Sequence, residues 1–163
     1  PSGKLGNAAK ADLSDFQRAV NTLCRNLAWR IVRDGEGAIR VMELEVTGAK
    51  TERDAKLAAH AIATSPLVKT ALHGGDPNWG RILAAVGRSG ARFSLKKISL
   101  HAANIALVLN GAPTAYREKD AAKVFARERV PLRIDLGNGT ASAVVLSCDL
   151  GHDYVSLNAD YRS

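Results

Sequence analysis

Between residues 14 and 46 the chain changes its hydrophobic period once, across five residues, and that switch constrains the fold more than any other feature. Upstream, Phe16, Ala19, Val20, Leu23, Leu27 and Ile31 recur at helical spacing, which predicts an amphipathic helix over 14–32 with an apolar face to bury. Ser14 and Gln17 read as a capping box at its start. Downstream of "RDGEG" (33–37), "IRVMELEV" (39–46) sets Met42, Leu44 and Val46 against Val41, Glu43 and Glu45, the period of a half-buried strand. A striped helix beside a strand with one apolar face implies helices layered on a sheet.

The rest of the chain extends that layering. Thr51 with Asp54 opens an Ala-rich helix that Pro66 stops. "LVKTAL" (67–72) reads as a short strand. Asp76 is placed to cap, and Pro77 to begin, a helix carrying "NWGRILAAVG". "ISLHA" and "NIALVL" read as strands, with Asn-Gly at 110–111 as a turn and a charged helix over about 117–128. "VPLRIDL" and "TASAVVLSCDL" read as a hairpin closed by "GNG" (137–139), and the tail "GHDYVSLNADYRS" as polar and irregular. Helices and strands mix without strict βαβ alternation. The expected class is α/β, layered in the α+β manner, with mixed sheets and antiparallel hairpins. Residues 1–163 are treated as one compact unit, long enough to bury a core and free of repeats or linkers.

Composition narrows the function classes. With 46% apolar and 24% charged residues the chain is globular rather than disordered. No window approaches the roughly 18 apolar residues of a membrane span, and the first residues lack the apolar core of a secretory signal. Two cysteines far apart, Cys24 and Cys148, imply no disulfide framework, so a reducing cytoplasm is expected and both thiols are read as buried and unreactive. A net charge of +7 raises nucleic acid or an acidic partner as candidates. The basic residues are scattered, however, and aromatics do not interleave with them. Neither nucleic acid nor a membrane is an expected partner, although a basic binding module stays open as a reading of different class.

Two loops carry the candidate chemistry. "HGGDPNWG" (73–80) has neither the Gly-Lys-Ser/Thr of a phosphate loop nor a Gly-x-Gly-x-x-Gly. His73 and Asp76 alone do not make a metal set, and no metal is expected. A helix start, with Trp79 packing inward, is the better account of this loop. In "RDGEG", Glu36 stands between glycines that let the backbone turn and present a carboxylate. Such a group can hold an ammonium or act as acid or base, and it is also what a solvated turn looks like. His60 and His101 read as structural, and His152 beside Asp153 does not form a dyad because neighbours in sequence rarely face one another.

Three long strings, "LAWRIVRDGEGAIR" (27–40), "SPLVKTALHGGDPNWGRILAAVGRSG" (65–90) and "CDLGHDYVSLNADYRS" (148–163), closely resemble the C-terminal part of the ornithine acetyltransferases, the bifunctional glutamate N-acetyltransferases of the ArgJ family. The match in order and spacing runs from about residue 14 to the last residue. The resemblance implies a precursor that cuts itself into an α and a β chain, with a new N-terminal Thr as nucleophile. That Thr takes acetyl from N-acetylornithine and passes it to glutamate. The resemblance also implies an oxyanion hole from the α chain and an α2β2 assembly, with no cofactor beyond acetyl-coenzyme A as a conceivable co-substrate. Residue by residue, the family's β-chain substrate contacts fall on Glu36, Asn158 and Ser163. The family's cleavage threonine has no counterpart here: Thr22, Thr47, Thr51, Thr64, Thr70, Thr114 and Thr140 all stand in other contexts. The expectation is therefore a β-chain portion, inactive alone, that supplies substrate-binding residues but no catalytic residue. A related amidase or acyltransferase acting on another amine is the alternative enzyme reading.

Overall fold

The structure, a computed structural model, describes residues 10–160. Six helices and six strands follow in the order α1 (Lys10–Arg33), β1 (Val41–Ala49), α2 (Glu52–Ala63), α3 (Pro66–His73), α4 (Trp79–Gly87), β2 (Ser99–Ala102), β3 (Ile105–Leu109), β4 (Ala112–Pro113), α5 (Glu118–Phe125), β5 (Arg129–Asp135), β6 (Ala141–Cys148) and α6 (His152–Ala159). The strands form one mixed sheet in the order β4-β3-β2-β5-β1-β6. β1 runs parallel to β5, and every other pairing is antiparallel.

The alternation along β1 sets the core. Met42, Leu44 and Val46 are fully buried on the face covered by α2 and α4, against Ala55, Ala58, Ile62, Ile82 and Val86. Alanines on α2 let its backbone lie close to the strands, and α2 touches both β1 and β6. Thr51 caps α2 as expected: its Oγ1 accepts the Asp54 N–H at 3.1 Å and donates to Asp54 Oδ2 at 2.7 Å. Asp54 is buried and also accepts the Arg92 N–H at 3.2 Å. The Thr51 hydroxyl first, then Arg92 against the cost of burial, hold the Asp54 carboxyl below the usual carboxylate range. On the opposite face α1 crosses the sheet. There Arg129 sits 4.9 Å from the Trp29 ring centre and pairs with Glu43 at 3.1 Å.

Several local expectations are corrected. The first helix spans Lys10–Arg33, so Ser14 lies inside it rather than at its cap. Its stripe is not buried: Phe16 is 60% and Ile31 74% exposed, and Leu23, Leu27 and Cys24 are exposed as well. Residues 67–72 form helix α3 rather than a strand. Ser65 caps it by accepting the Val68 N–H, Pro66 takes the first position, and Val68, Ala71 and Leu72 are buried at helical spacing. Asn78, not Asp76, caps α4, accepting the Arg81 N–H at 3.1 Å, while Asp76 accepts from the Asn78 amide at 2.9 Å. His60 is exposed on α2.

The expected hairpin of β5 and β6 is also overturned, because β1 lies between them. The 137–139 turn wraps the end of β1 instead. Leu136 N–H donates to Thr47 O at 2.9 Å and Asn138 N–H to Gly48 O at 2.7 Å. The Asn110-Gly111 turn is present, with both residues at positive φ (49° and 77°), and joins β3 to the short β4. The tail is not irregular: residues 152–159 are helix α6, and none of its side chains is buried.

Candidate functional site

The Glu36 turn is built by the way α1 ends. Asp34 and Gly35 N–H groups donate back to Arg30 and Val32, and the Ala38 N–H closes on Gly35 O at 2.9 Å. Gly37 takes φ +67°, and a Cβ there would stand 2.7 Å from Tyr154 N, so the turn lies directly on the first residues of α6. Glu36 is left exposed at the tip.

α6 brings the second expected residue to the first. Asn158 Nδ2 donates to Glu36 Oε2 at 2.6 Å and to Tyr154 O at 2.8 Å, joining residues 122 positions apart. Ser163 lies outside the described residues. An acceptor carboxylate beside a primary amide offers both charge for an ammonium and neutral donors and acceptors for a carboxylate or amide. The contact is solvent-exposed, and neither residue lines the two clefts found elsewhere, one of about 870 Å³ between α2 and β6, the other of about 1120 Å³ between α1 and the sheet. Those clefts expose alkyl and scattered ionic groups without a convergent set, so the chemistry points to the Glu36–Asn158 edge.

Beneath that edge lies a polar junction that local sequence reasoning missed. Asp149, with its side chain fully buried, accepts the N–H groups of Ile39 and Arg40, both at 3.0 Å, and the His73 Nδ1 at 2.7 Å. Arg40 returns the contact by donating to His73 O, and the Asp149 N–H donates to Arg40 O at 3.1 Å. Leu150 N–H reaches Lys69 O on α3 at 3.2 Å, and the Lys69 amine lies 3.7 Å from Cys148 Sγ. His73 therefore faces Asp149 and not Asp76. Arg81 donates to Leu67 O at 3.0 Å and to Thr70 Oγ1 at 3.3 Å, bracing α4 against α3. The 73–81 loop is thus a framework joint between α3, α4 and the segment around Asp149. His73 and Asp149 stand 76 positions apart, and no local signal links them.

Comparison with known proteins places the chain in a family. The ArgJ family model matches residues 2–163. An arginine biosynthesis bifunctional protein ArgJ from Dehalococcoides mccartyi is 47% identical over 148 residues, which is 91% of this chain and 36% of that protein. The protein of the same name from Rhizobium meliloti is 43% identical over 161 residues, 98% of this chain and 39% of its own length. The crystal structure of arginine biosynthesis bifunctional protein ArgJ from Bacillus halodurans superposes with a TM-score of 0.89 at 36% identity, covering 98% of this chain and 78% of that one. The chain thus spans little more than a third of the length of these two curated relatives. Among the described residues no helix is long and apolar enough to cross a membrane. On sequence and on fold together, the chain belongs to the ArgJ family.

Proposed function

We propose that this chain is part of an acetyltransferase of arginine biosynthesis, moving acetyl from N-acetylornithine to glutamate through an acetyl-Thr intermediate. The Thr hydroxyl oxygen attacks the acetyl carbonyl, the carbon–nitrogen bond breaks, and ornithine leaves as the amine with the proton. The glutamate amine then attacks the ester carbonyl, and the Thr oxygen departs with a proton. The nucleophile and the donors that stabilise the tetrahedral oxyanion come from polypeptide outside this chain, which alone is inactive. An α chain, the remainder of a β chain, an α2β2 assembly and a cytoplasmic setting belong to the same reading, as does acetyl-coenzyme A as a possible second donor.

This chain's share is one wall of the amino-acid pocket, formed by Glu36, Asn158 and Ser163. The observation that carries this is the 2.6 Å contact between Asn158 and Glu36, two residues with no reason in the core to meet. Glu36 is suited to the amino group of ornithine, and Asn158 with Ser163 to the carboxylate or amide of the same substrate. The test is Glu36→Gln in the complete two-chain enzyme. Loss of a charge-assisted hydrogen bond is expected to raise KM for N-acetylornithine by about 10- to 100-fold. An unchanged KM would remove Glu36 from the pocket.

A further inference from the structure

We infer that His73 and Asp149 form a positioning clasp that sets the Glu36 turn against α6, so that His73 governs substrate affinity without touching substrate. The inference rests on the pocket reading of Glu36 and Asn158. Its starting point is that α6 has no buried side chain, so core packing does not place it. A few local contacts hold α6 instead, and the one at its N-terminus converges on His73. The ring lies against Gly151, the residue that caps α6, where any added Cβ would overlap it. The same ring donates to Asp149, two residues before that cap. An acceptor carboxylate with backbone donors on its other oxygen leaves Nδ1 as the protonated nitrogen.

From Asp149 the connection runs to the pocket. Its Oδ1 takes the N–H groups of residues 39 and 40, which follow the Glu36 turn. The turn then meets α6 twice more, at Gly37 against residues 153–154 and at Glu36 against Asn158. The contacts close a ring: His73, Asp149, the 36–40 turn, α6 and back to His73 through Gly151. His73 stands on the rigid side of that ring, at the end of α3, whose Val68 and Leu72 are anchored in the core. A buried carboxylate stabilises a fold poorly compared with apolar packing of similar size. What this one supplies is fixed geometry between two otherwise exposed segments. Misplacing a substrate contact by about 1 Å can cost on the order of 100-fold.

The test uses the complete, processed enzyme with N-acetylornithine as the probe, reading KM, kcat and backbone amide exchange. His73→Ala is expected to lift protection at residues 39–40 and 152–158 and to raise KM by about 10- to 100-fold with a smaller change in kcat. His73→Asn, whose side-chain amide can donate where Nδ1 does, restores both. Gly151→Ala, which leaves His73 and Asp149 chemically intact but displaces the ring, reproduces the KM rise should His73→Ala fail to fold. On a Glu36→Gln background the His73 substitution adds little, because both act on one contact. Unchanged exchange in His73→Ala, no rescue by Asn, an unchanged KM in Gly151→Ala, or fully additive effects would each overturn the clasp. The two readings separate cleanly. A raised KM in Glu36→Gln with none in His73→Ala sinks only the clasp, whereas a silent Glu36→Gln sinks the pocket reading beneath it.

Discussion

The two faces of the sheet carry the same strands and are covered on opposite terms. On the α2 and α4 side Met42, Leu44 and Val46 are sealed by alanines and branched side chains from those two helices. On the α1 side Glu43 and Arg129 pair beside Trp29, and the apolar stripe of α1 itself remains exposed. The first face is complete within this chain. The second has the pattern of a buried layer without, among the described residues, the surface that would bury it. The candidate site adjoins this second half: Glu36 sits in the turn that follows α1, and α6 has no buried side chain. The difference teaches that one half holds the structure while the other is held in place by a few polar contacts.

The comparison can be broken first where it is strongest. Leu44→Ala removes a fully buried side chain from the sealed face, and a loss of about 2–5 kcal/mol is expected from denaturant unfolding of this chain. A loss under about 1 kcal/mol would mean that this face is not the stabilising one.

Gly37→Ala probes the held half. An Ala at φ +67° is strained, and its Cβ would press on Tyr154 N, so about 1–3 kcal/mol of strain falls on the junction with α6. The expected signature is local: faster amide exchange across residues 152–158 with the β1 amides still protected. Equal loss in both regions would show that the two halves unfold as one.

A smaller effect distinguishes the sealed face by pH. The Asp54 carboxyl lies below its ordinary value of 3.8, held there chiefly by the Thr51 hydroxyl and also by Arg92. A depressed carboxylate contributes stability that is present above the unfolded value and lost as pH falls through the folded one. Asp54→Asn should therefore be less stable than the parent at neutral pH, and the gap should close below pH 3.8. A gap that stays constant from neutral to acid would refer the effect to packing rather than charge.

How far these halves could be read in sequence depends on how local their determinants are. The α2 start was legible because Thr51 and Asp54 satisfy each other within one turn. Residues 67–72 read as a strand once Pro66 is taken only as the stop of α2, whereas Ser65-Pro66 is also the start that makes them a helix. The "GNG" turn was read correctly as a turn but not for what it joins, since the insertion of β1 between β5 and β6 is a pairing that no turn encodes. Glu36 stands out locally between its glycines, but Asn158 and its pairing with Glu36 rest on the family resemblance. No period or spacing connects positions 122 apart, and His73 with Asp149 had no signal at all.

The smallest expected effect lies on the exposed stripe of α1. Ile31 is 74% exposed, and Ser differs little from Ile in helix propensity, so Ile31→Ser should change the stability of this chain by less than about 0.5 kcal/mol. A larger loss would show that the stripe is already packed here, and the contrast between the faces would fail. Repeating the substitution in a protein of the relatives' full length sharpens the same point. Burial of the side chain there would make the substitution cost about 1.5–3 kcal/mol, whereas no change would mean that the stripe is solvated in both. For the sealed face no such split is expected, because Leu44 is already fully buried within this chain.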